Sequence, residues 1–305
     1  MTRVFVTQAI EETALRRLRD ADLHVTVRSG EAPITRAELL AHGADVLVPM
    51  PTDRIDAEVL DAGPVKLVAS HAVGTDHLDL AACAARGIPV TNTPGVLTDA
   101  TADLAMALLL AATRGVVQGD ALIRAGAFHG WHPLMLRGLE LRGARLGIVG
   151  FGRIGRATAE RAAAFGMEVV HSSRRSGLPL HELLATSDVV SLHCPLTPDT
   201  HHLLDADALA RMKRGAYLVN TARGPVVDEA ALAQALRGHL AGAGLDVFER
   251  EPEVHPGLLE LPNVTLLPHL GSATFRARRL MAATVVDNVL AWVGGEALKT
   301  PVSGG

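Results

Sequence analysis

A glycine-rich turn follows a run of β-type apolar residues near the middle of the chain. The run Leu146–Val149 ends at Gly150, and Gly152 and Gly155 complete the spacing G-x-G-x-x-G. In this spacing the first glycine permits a tight strand-to-helix turn, and the second lets the backbone approach a pyrophosphate. The third glycine allows the helix and the strand to pack closely. The segment therefore predicts the start of a dinucleotide-binding βαβ unit.

The residues after the glycines complete this unit. A helical pattern covers about 153–165 and ends at Gly166, and Met167–His171 has the composition of a second strand. The first turn of the helix, with Arg153 and Ile154, would present free N–H groups and the positive end of the helix dipole to a diphosphate. We expect this turn and the glycines to bind the cofactor.

The tip of the second strand indicates which dinucleotide is bound. An NAD-specific unit normally places Asp or Glu there, where it accepts hydrogen bonds from the ribose hydroxyls. This chain has Ser172, Ser173, Arg174 and Arg175 instead. Hydroxyls and guanidiniums suit a 2′-phosphate, so the sequence favours NADP, with NAD as the alternative. The simpler explanation is that both arginines belong to a solvated loop.

Composition places the chain among ordinary globular proteins. Its 305 residues are 48% hydrophobic and 20% charged, which is enough apolar sequence for two domains. The formal net charge of −4 gives no overall basic field that would attract nucleic acid or an anionic membrane surface. We therefore expect neither as a partner.

Targeting and metal-binding patterns are absent from the sequence. Residues 1–7 enter a strand pattern directly, without the charged and apolar segments of a signal peptide, so we expect a cytoplasmic protein. The longest apolar stretches are shorter than the roughly 20 residues that a bilayer requires. Cys83 and Cys194 lack C-x-x-C spacing, which predicts packing roles rather than a disulfide or a zinc site. No metal is expected.

Two series of short strands alternate with helical segments along the chain. The strand patterns lie at about 4–7, 24–28, 46–49, 66–70 and 90–92, and then at about 146–149, 167–171, 189–193, 217–220, 243–248 and 264–267. Such alternation is typical of parallel sheets with helices on their faces. The last helical segment, about 274–293, has apolar residues suited to packing against the first series. We predict an α/β fold of two doubly wound parallel-sheet domains, 1–97 with 274–305 and 98–273.

Three charged or titratable residues follow predicted strands of the second series. Arg223 follows the strand at 217–220, Glu251 the strand at 243–248, and His269 the strand at 264–267. Open α/β sheets bind their ligands at the carboxyl ends of the strands, so this position favours a functional role. Each residue also has a simpler explanation, as a surface loop arginine, a solvated acid or a histidine bonded to backbone.

These three segments, together with Val90–Gly95 and the glycine turn, resemble the D-isomer-specific 2-hydroxyacid dehydrogenase family along nearly the whole chain. The resemblance implies a Rossmann cofactor domain and a flavodoxin-like substrate domain, with the active site in the cleft between them. It implies that His269 is the general acid when a 2-oxo acid is reduced and that Glu251 keeps it charged near neutral pH. Arg223 would bind the carboxylate and carbonyl oxygens through its planar fork.

The same resemblance implies further contacts. The backbone of Val73 and Gly74 would form a nest for the substrate carboxylate, and Asp246 would meet the nicotinamide carboxamide. His71 is the one other histidine that we keep as a candidate contact on the substrate side, because it lies near the nest in the sequence.

One loop is similar to a particular branch of this family. Gly130–Pro133 and Leu136–Leu141 resemble the glyoxylate and hydroxypyruvate reductases, in which a tryptophan of this loop reaches the active site of the partner subunit. The resemblance implies a homodimer in which Trp131 contributes to substrate binding.

The sequence therefore favours NADPH-dependent reduction of glyoxylate or hydroxypyruvate to the 2-hydroxy acid. One alternative is a dehydrogenase for a bulkier 2-oxo acid. Another is a non-catalytic, dinucleotide-sensing binding protein, because the corepressors that resemble this family also keep an acid, a base and an arginine. The exact 2-oxo acid, the physiological direction and the oligomeric state stay open at this point.

Overall fold

The computed structural model describes residues 1–30 and 32–302. The chain divides into two compact units. The first unit contains the described residues of Met1–Leu97 and Ala273–Gly305, and the second contains Thr98–Ser272. The division falls one residue before the predicted boundary at 273/274. Each unit has its own parallel sheet with helices packed on it, which confirms the predicted fold class.

The helices and strands alternate along the chain. The strands are β1 Arg3–Val6, β2 His24–Val27, β3 Val46–Val48, β4 Leu67–Ala69, β5 Val90–Thr91, β6 Arg145–Val149, β7 Glu168–Ser172, β8 Val189–Leu192, β9 Tyr217–Asn220, β10 Gly242–Leu245 and β11 Val264–Leu266. The helices are α1 Glu12–Asp20, α2 Arg36–Leu40, α3 Ala57–Asp61, α4 Leu80–Ala85, α5 Thr98–Arg114, α6 Val116–Arg124, α7 Arg153–Ala164, α8 Leu180–Thr186, α9 Ala206–Ala210, α10 Glu229–Gly238, α11 Pro256–Leu259 and α12 Phe275–Val293.

The sheet of the first unit has the order β2-β1-β3-β4-β5, and the pairs in its described residues are parallel. This is the flavodoxin-like order, in which the direction of strand addition reverses between β1 and β3. Both faces of the sheet are covered, as is usual for parallel strands. Val4 and Val6 of β1 pack in one core cluster, and Phe5 between them packs in a second cluster on the opposite face.

Helix α12 belongs to the first core, as its apolar residues predicted. Val285, Val286 and Val289 are buried in the same cluster as Val4 and Val6. The Thr274 hydroxyl accepts a hydrogen bond from the N–H of Ala277, which caps the first turn of the helix. Ala282, one turn after Arg278, is buried in the same cluster, and Ala277 just before it is buried as well. The packing of α12 on the first sheet therefore sets the position of Arg278.

The sheet of the second unit has the order β11-β10-β9-β8-β6-β7 and is parallel in its described pairs. The direction of strand addition reverses between β6 and β8, beside the glycine turn that follows β6. Leu146 and Ile148 of β6 are buried in one cluster, while Val149 lies in the cluster on the other face. This reversal is the place where doubly wound sheets bind dinucleotides.

Several predicted boundaries differ from the structure by one or two residues, as is usual at frayed ends. Helix α6 was not predicted from the sequence. Cys83 and Cys194 are free and buried.

Among the described helices no single one is long and apolar enough to cross a membrane, and α5 and α6 meet that test only as a pair bent by 64°.

Candidate active site

The three glycines of the turn after β6 have different surroundings. Gly150 has a φ of +93°, and a Cβ added there would overlap the backbone of Cys194. A Cβ on Gly155 would overlap the carbonyl oxygen of Gly150. Around Gly152, in contrast, nothing lies within 4 Å of an added Cβ. The first and third glycines are therefore required by the fold itself, whereas the second keeps the space in front of α7 open.

The amino terminus of α7 has the features of an anion site. Gly152 is its N-cap and provides no side chain to bond the first-turn N–H groups, which include those of Arg153 and Ile154. The Phe151 ring stacks on His171 of β7 with the centroids 4.0 Å apart, which links the turn to the neighbouring strand. Free N–H groups and the positive end of a helix dipole at a strand reversal fit the diphosphate of a dinucleotide.

The tip of β7 is a tight turn that exposes two arginines. The Ser173 N–H donates to the Ser176 carbonyl at 2.9 Å, and the Ser176 N–H donates to the Ser173 hydroxyl at 3.1 Å. Arg174 pairs with Asp199 at 2.8 Å, but both side chains are exposed, and such pairs contribute only about 0–1 kcal/mol. For Arg175 the described residues offer no ion-pair partner. At least one guanidinium at this tip is therefore available to a phosphate.

Arg223 lies in the loop after β9, before a 3₁₀ turn at Gly224–Val226. The Asn220 side chain shapes this loop, because its amide donates to the Arg223 carbonyl at 3.0 Å and its oxygen accepts the Ala222 N–H at 3.0 Å. The guanidinium Nη1 of Arg223 donates to the Ala222 carbonyl at 2.8 Å. The arginine is thus half-buried at the carboxyl end of a central strand, as its sequence position predicted.

His269 and Glu251 form a hydrogen-bonded pair. The Nδ1 atom of His269 lies 2.9 Å from Oε2 of Glu251, and the other carboxylate oxygen accepts the Phe248 N–H at 3.0 Å. A carboxylate has no proton to donate, so Nδ1 of the imidazole must carry one. The ring is therefore oriented by the pair, and Nε2 is the nitrogen left to exchange a proton with a ligand.

The electrostatics of Glu251 connect all three predicted residues. Burial by itself raises the pKa of Glu251. The hydrogen bond and charge of His269, the Phe248 N–H and the charge of Arg223 oppose burial and together hold the pKa of Glu251 below its ordinary value. Glu251 is therefore a carboxylate at neutral pH, and Arg223 is close enough to act on it.

Asp246 holds the loop that carries His269. Its two carboxylate oxygens accept the N–H groups of Leu270 and Gly271 at 2.6 and 2.8 Å, and its backbone carbonyl accepts the N–H of His269 at 2.8 Å. His269 has a φ of +55°, a left-handed conformation that a residue with a side chain rarely adopts. Burial raises the pKa of Asp246, and the two N–H donors counteract this effect. These bonds stabilise the strained histidine.

A second acidic pair, which sequence reasoning missed, holds the loop of Glu251. The buried Glu229 at the start of α10 accepts the N–H groups of Glu249 and His255 at 2.8 and 3.3 Å. In return, the Glu249 carboxylate accepts the Glu229 N–H at 3.3 Å. Glu229 is followed by an ordinary helical sequence, so nothing in its pattern indicated this contact 20 residues away.

The predicted carboxylate nest lies in the first unit, in the loop after β4. The Asn92 amide donates to the Val73 carbonyl at 2.8 Å, and the Thr93 N–H donates to the Ala72 carbonyl at 2.8 Å. These bonds fix the loop from its carbonyl side. No acceptor for the N–H groups of Val73 and Gly74 exists within the described part of the chain, so both are available to an anion.

The loop that contains Trp131 is exposed along its length. The Trp131 side chain is 83% exposed, which is unusual for an indole in a protein that buries its apolar groups. Other exposed large apolar residues accompany it in this loop and on α6, namely Val116, Val117, Ile123, Phe128, Leu134, Met135 and Leu136. Leu136 lies beside Gly115 and Gly119, so this residue joins the exposed apolar groups of the loop to those of α6.

The structure thus brings together most of the predicted residues of the second unit. Glu251 bonds His269 and is close enough to Arg223 for the charge of the guanidinium to lower its pKa, and Asp246 bonds the residues after His269. Across residues 1–30 and 32–302, no three His, Cys, Asp or Glu side chains converge as metal ligands would. The arrangement can orient a proton donor and place a guanidinium near it, which is the chemistry that reduction of a carbonyl requires.

Comparison with known proteins identifies the family. Residues 106–271 match the family model for the D-isomer specific 2-hydroxyacid dehydrogenase, NAD binding domain. A glyoxylate reductase of Thermococcus onnurineus is 46% identical over 320 residues, covering 99% of this chain and 96% of the relative.

Solved structures agree with this match. A Thermus thermophilus protein of known crystal structure has a TM-score of 0.94 and 52% identity, covering 99% of this chain and 100% of that one. The NADPH-dependent glyoxylate/hydroxypyruvate reductase of Sinorhizobium meliloti, solved with NADP and malonate, has a TM-score of 0.87 and 37% identity, covering 99% and 97%. The resemblance that the motifs predicted is therefore confirmed. The chain belongs to the D-isomer-specific 2-hydroxyacid dehydrogenases, which are oxidoreductases that act on the CH–OH group of 2-hydroxy acids.

Proposed function

We propose that this protein reduces a small 2-oxo acid, glyoxylate or hydroxypyruvate, to the corresponding 2-hydroxy acid, with NADPH as its preferred cofactor. The 2.9 Å contact between His269 and Glu251 carries the catalytic part of this proposal. The glyoxylate reductase of Thermococcus onnurineus and the glyoxylate/hydroxypyruvate reductase of Sinorhizobium meliloti support the choice of substrate.

His269 is the proposed proton donor. Glu251 holds the proton on Nδ1 and stabilises the imidazolium, so Nε2 can protonate the alkoxide that forms during reduction. In the reverse direction the neutral imidazole accepts the proton. Reduction therefore requires the charged ring, whose Nδ1–H donates to the Glu251 carboxylate.

Arg223 is the proposed electrophilic partner. Its guanidinium stays charged and presents a planar fork that suits a carboxylate and the neighbouring carbonyl oxygen. Positive charge near that oxygen stabilises the negative charge that develops in the transition state. The N–H groups of Val73 and Gly74 are proposed to bind the substrate carboxylate as a backbone nest.

The cofactor, when bound, supplies the hydride. Gly150, Gly152 and Gly155 with the first turn of α7 are the proposed diphosphate site, which the open space at Gly152 supports. Ser173, Arg174 and Arg175 are proposed to bind the 2′-phosphate. Asp246 keeps its proposed contact with the nicotinamide carboxamide, because each carboxylate oxygen has a second lone pair beyond its backbone bond.

A cytoplasmic location stays a prediction.

We expect NADPH to be preferred over NADH by about tenfold or more in kcat/KM, because a hydrogen bond to a charged group contributes roughly 1.5 to 3 kcal/mol. The assay follows nucleotide oxidation with glyoxylate, hydroxypyruvate and a bulkier 2-oxo acid. Arg175→Gln should remove most of the preference, whereas Arg214→Gln, an exposed arginine after α9, should not.

Equal efficiency with both nucleotides would contradict the assignment of the β7 tip. Absence of turnover with every 2-oxo acid, combined with tight nucleotide binding, would favour the dinucleotide-sensing alternative. Faster turnover of the bulkier acid would favour the other alternative, a dehydrogenase for larger substrates.

We expect substitutions of the proposed catalytic residues to have different effects on kcat and KM. Glu251→Gln and His269→Gln should each lower kcat by about a hundredfold or more, and the double variant should cost little beyond the worse single change. Arg223→Lys should raise KM as well as lower kcat, because it acts on the substrate before and during the reaction. Steady-state kinetics would measure this, with the exposed Glu253→Gln as the control. Additive losses at positions 251 and 269 would mean that the two do not act as a unit.

We also propose that the protein is a homodimer through the apolar surface of α6 and the loop around Trp131. Contiguous exposed apolar patches usually mark an interface, and tryptophan often anchors one. A second copy is the proposed occupant, because the loop resembles one in which a tryptophan reaches the partner subunit. Trp131 would then contribute to the partner's substrate site.

Sedimentation at micromolar concentration should give a dimer for the native chain. Trp131→Ala should weaken the dimer by about tenfold or more in Kd, because interface tryptophans commonly contribute about 2 kcal/mol. Phe275→Ala is the matched control, since this aromatic side chain is 88% exposed in the other unit. A native monomer, or equal effects of both substitutions, would rule out this interface.

A further inference from the structure

A cavity of about 570 Å³ opens within the first unit. It is lined by residues 8–11 after β1, by Met50 after β3, by His71 after β4 and by Arg278 of α12. It therefore lies at the carboxyl ends of the strands, where strand addition reverses between β1 and β3. Open α/β sheets bind their ligands at this place.

His71 is a buried imidazole with unused hydrogen-bonding groups. Its exposure is 3%, and neither ring nitrogen has a hydrogen-bond partner among the described residues. The His71 N–H donates to the Pro49 carbonyl at 3.0 Å, so the residue is held in place through its backbone. Burial and the charge of Arg278 lower the pKa of His71 to about 4. At neutral pH the ring thus offers one N–H donor and one acceptor, and buried groups of this kind are normally satisfied.

Arg278 supplies charge to the same cavity. Burial lowers the pKa of Arg278, but a guanidinium remains charged in proteins. In the described structure it forms no ion pair, although Glu11 lines the cavity as well. Its neighbours Arg276 and Arg279 are exposed on the same helix. A half-buried, unpaired guanidinium next to an unsatisfied imidazole is a site prepared for an anionic group, because partly buried charges are costly when they have no partner.

We propose that the His71–Arg278 cavity binds a second acidic group of the substrate, so that this protein also reduces 2-oxo acids that carry a carboxylate at their far end. This inference rests on the proposed function. The Arg278 fork would take one or both oxygens of that carboxylate, and the His71 N–H would donate to it.

The position of the cavity relative to the proposed nest supports a four-carbon diacid. His71 precedes Val73 by two residues, and two residues span at most roughly 7 Å. An acid with one carboxylate at the nest can therefore direct its other carboxylate towards His71. Ile10 and Met50 give the cavity apolar wall, which suits the methylene between the two ends.

The C3 hydroxyl of hydroxypyruvate fits this cavity less well than the second carboxylate of a diacid does. The volume exceeds what one hydroxyl fills, and a hydroxyl leaves the charge of Arg278 uncompensated. The distinction between these ligands is measurable, because a carboxylate depends on the guanidinium charge much more strongly than a neutral hydroxyl does.

The test compares oxaloacetate with 2-oxobutyrate, which has the same number of carbons and no second carboxylate. The native protein should have a higher kcat/KM for oxaloacetate. In Arg278→Met the ratio of the two values should fall by about tenfold or more, the loss expected for a charge-assisted contact. Arg278→Lys should keep part of the ratio, and Arg279→Met, on the exposed side of α12, should keep all of it. Circular dichroism confirms that each variant folds.

A native kcat/KM for oxaloacetate that is no higher than that for 2-oxobutyrate overturns the inference, and so does a ratio of the two values that Arg278→Met does not lower. In either case, turnover of glyoxylate leaves the proposed function standing. In the opposite case, the anion site exists but the proposed function is wrong. Calorimetric measurement of succinate and butyrate binding recognises this case. If glyoxylate is not reduced but succinate binds in an Arg278-dependent manner, the anion site stands and the proposed function is wrong. If neither occurs, both proposals are overturned.

Discussion

The candidate active site depends on one carboxylate, that of Asp246. Its oxygens and its carbonyl accept three consecutive N–H groups, those of residues 269–271, and this fixes a loop whose first residue has a positive φ. A non-glycine residue in that conformation is strained, and it persists only where surrounding bonds determine it. Once the backbone is fixed, the His269 ring meets Glu251, and its second nitrogen is free for chemistry. The orientation of the proposed proton donor thus follows from the bonds that a second, buried acid makes to the backbone.

The two units share one topological device, for which we propose different ligands. Each sheet reverses its direction of strand addition once, between β1 and β3 in the first and between β6 and β8 in the second. In the second unit the reversal has a helix terminus and a glycine with open space, which favour a diphosphate. In the first unit it has a guanidinium and an unsatisfied imidazole, which favour a carboxylate. The fold supplies the position, and the side chains at each reversal determine what is bound.

Local patterns predicted the features that depend on neighbouring residues. The glycine spacing located the turn after β6, and the strand alternation indicated both sheets, because each is a short-range signal. The positions of Arg223, Glu251 and His269 could be inferred from the strands that precede them, since parallel strands end at the same edge.

The sequence could not predict contacts between distant residues. Glu229 meets the Glu249 backbone across 20 positions, and His71 shares a cavity with Arg278 from α12, far along the chain. Neither pair has a spacing rule, because the geometry of the folded sheets alone brings them together. His71 had been considered only for its nearness to the nest, and its lack of a hydrogen-bond partner is visible only in the structure.

The central claim is that Glu251 holds the proton on Nδ1 of His269, so that Nε2 exchanges a proton with the ligand. The rate of a single turnover with glyoxylate and pre-bound nucleotide tests it most directly, compared between the native protein and Glu251→Ala, in which no side chain remains to accept the Nδ1 proton. The account predicts a rate about a hundredfold or more below the native one, with nucleotide binding unchanged. A near-native rate in that variant would contradict the account, because the carboxylate would then have no influence on the group that donates the proton.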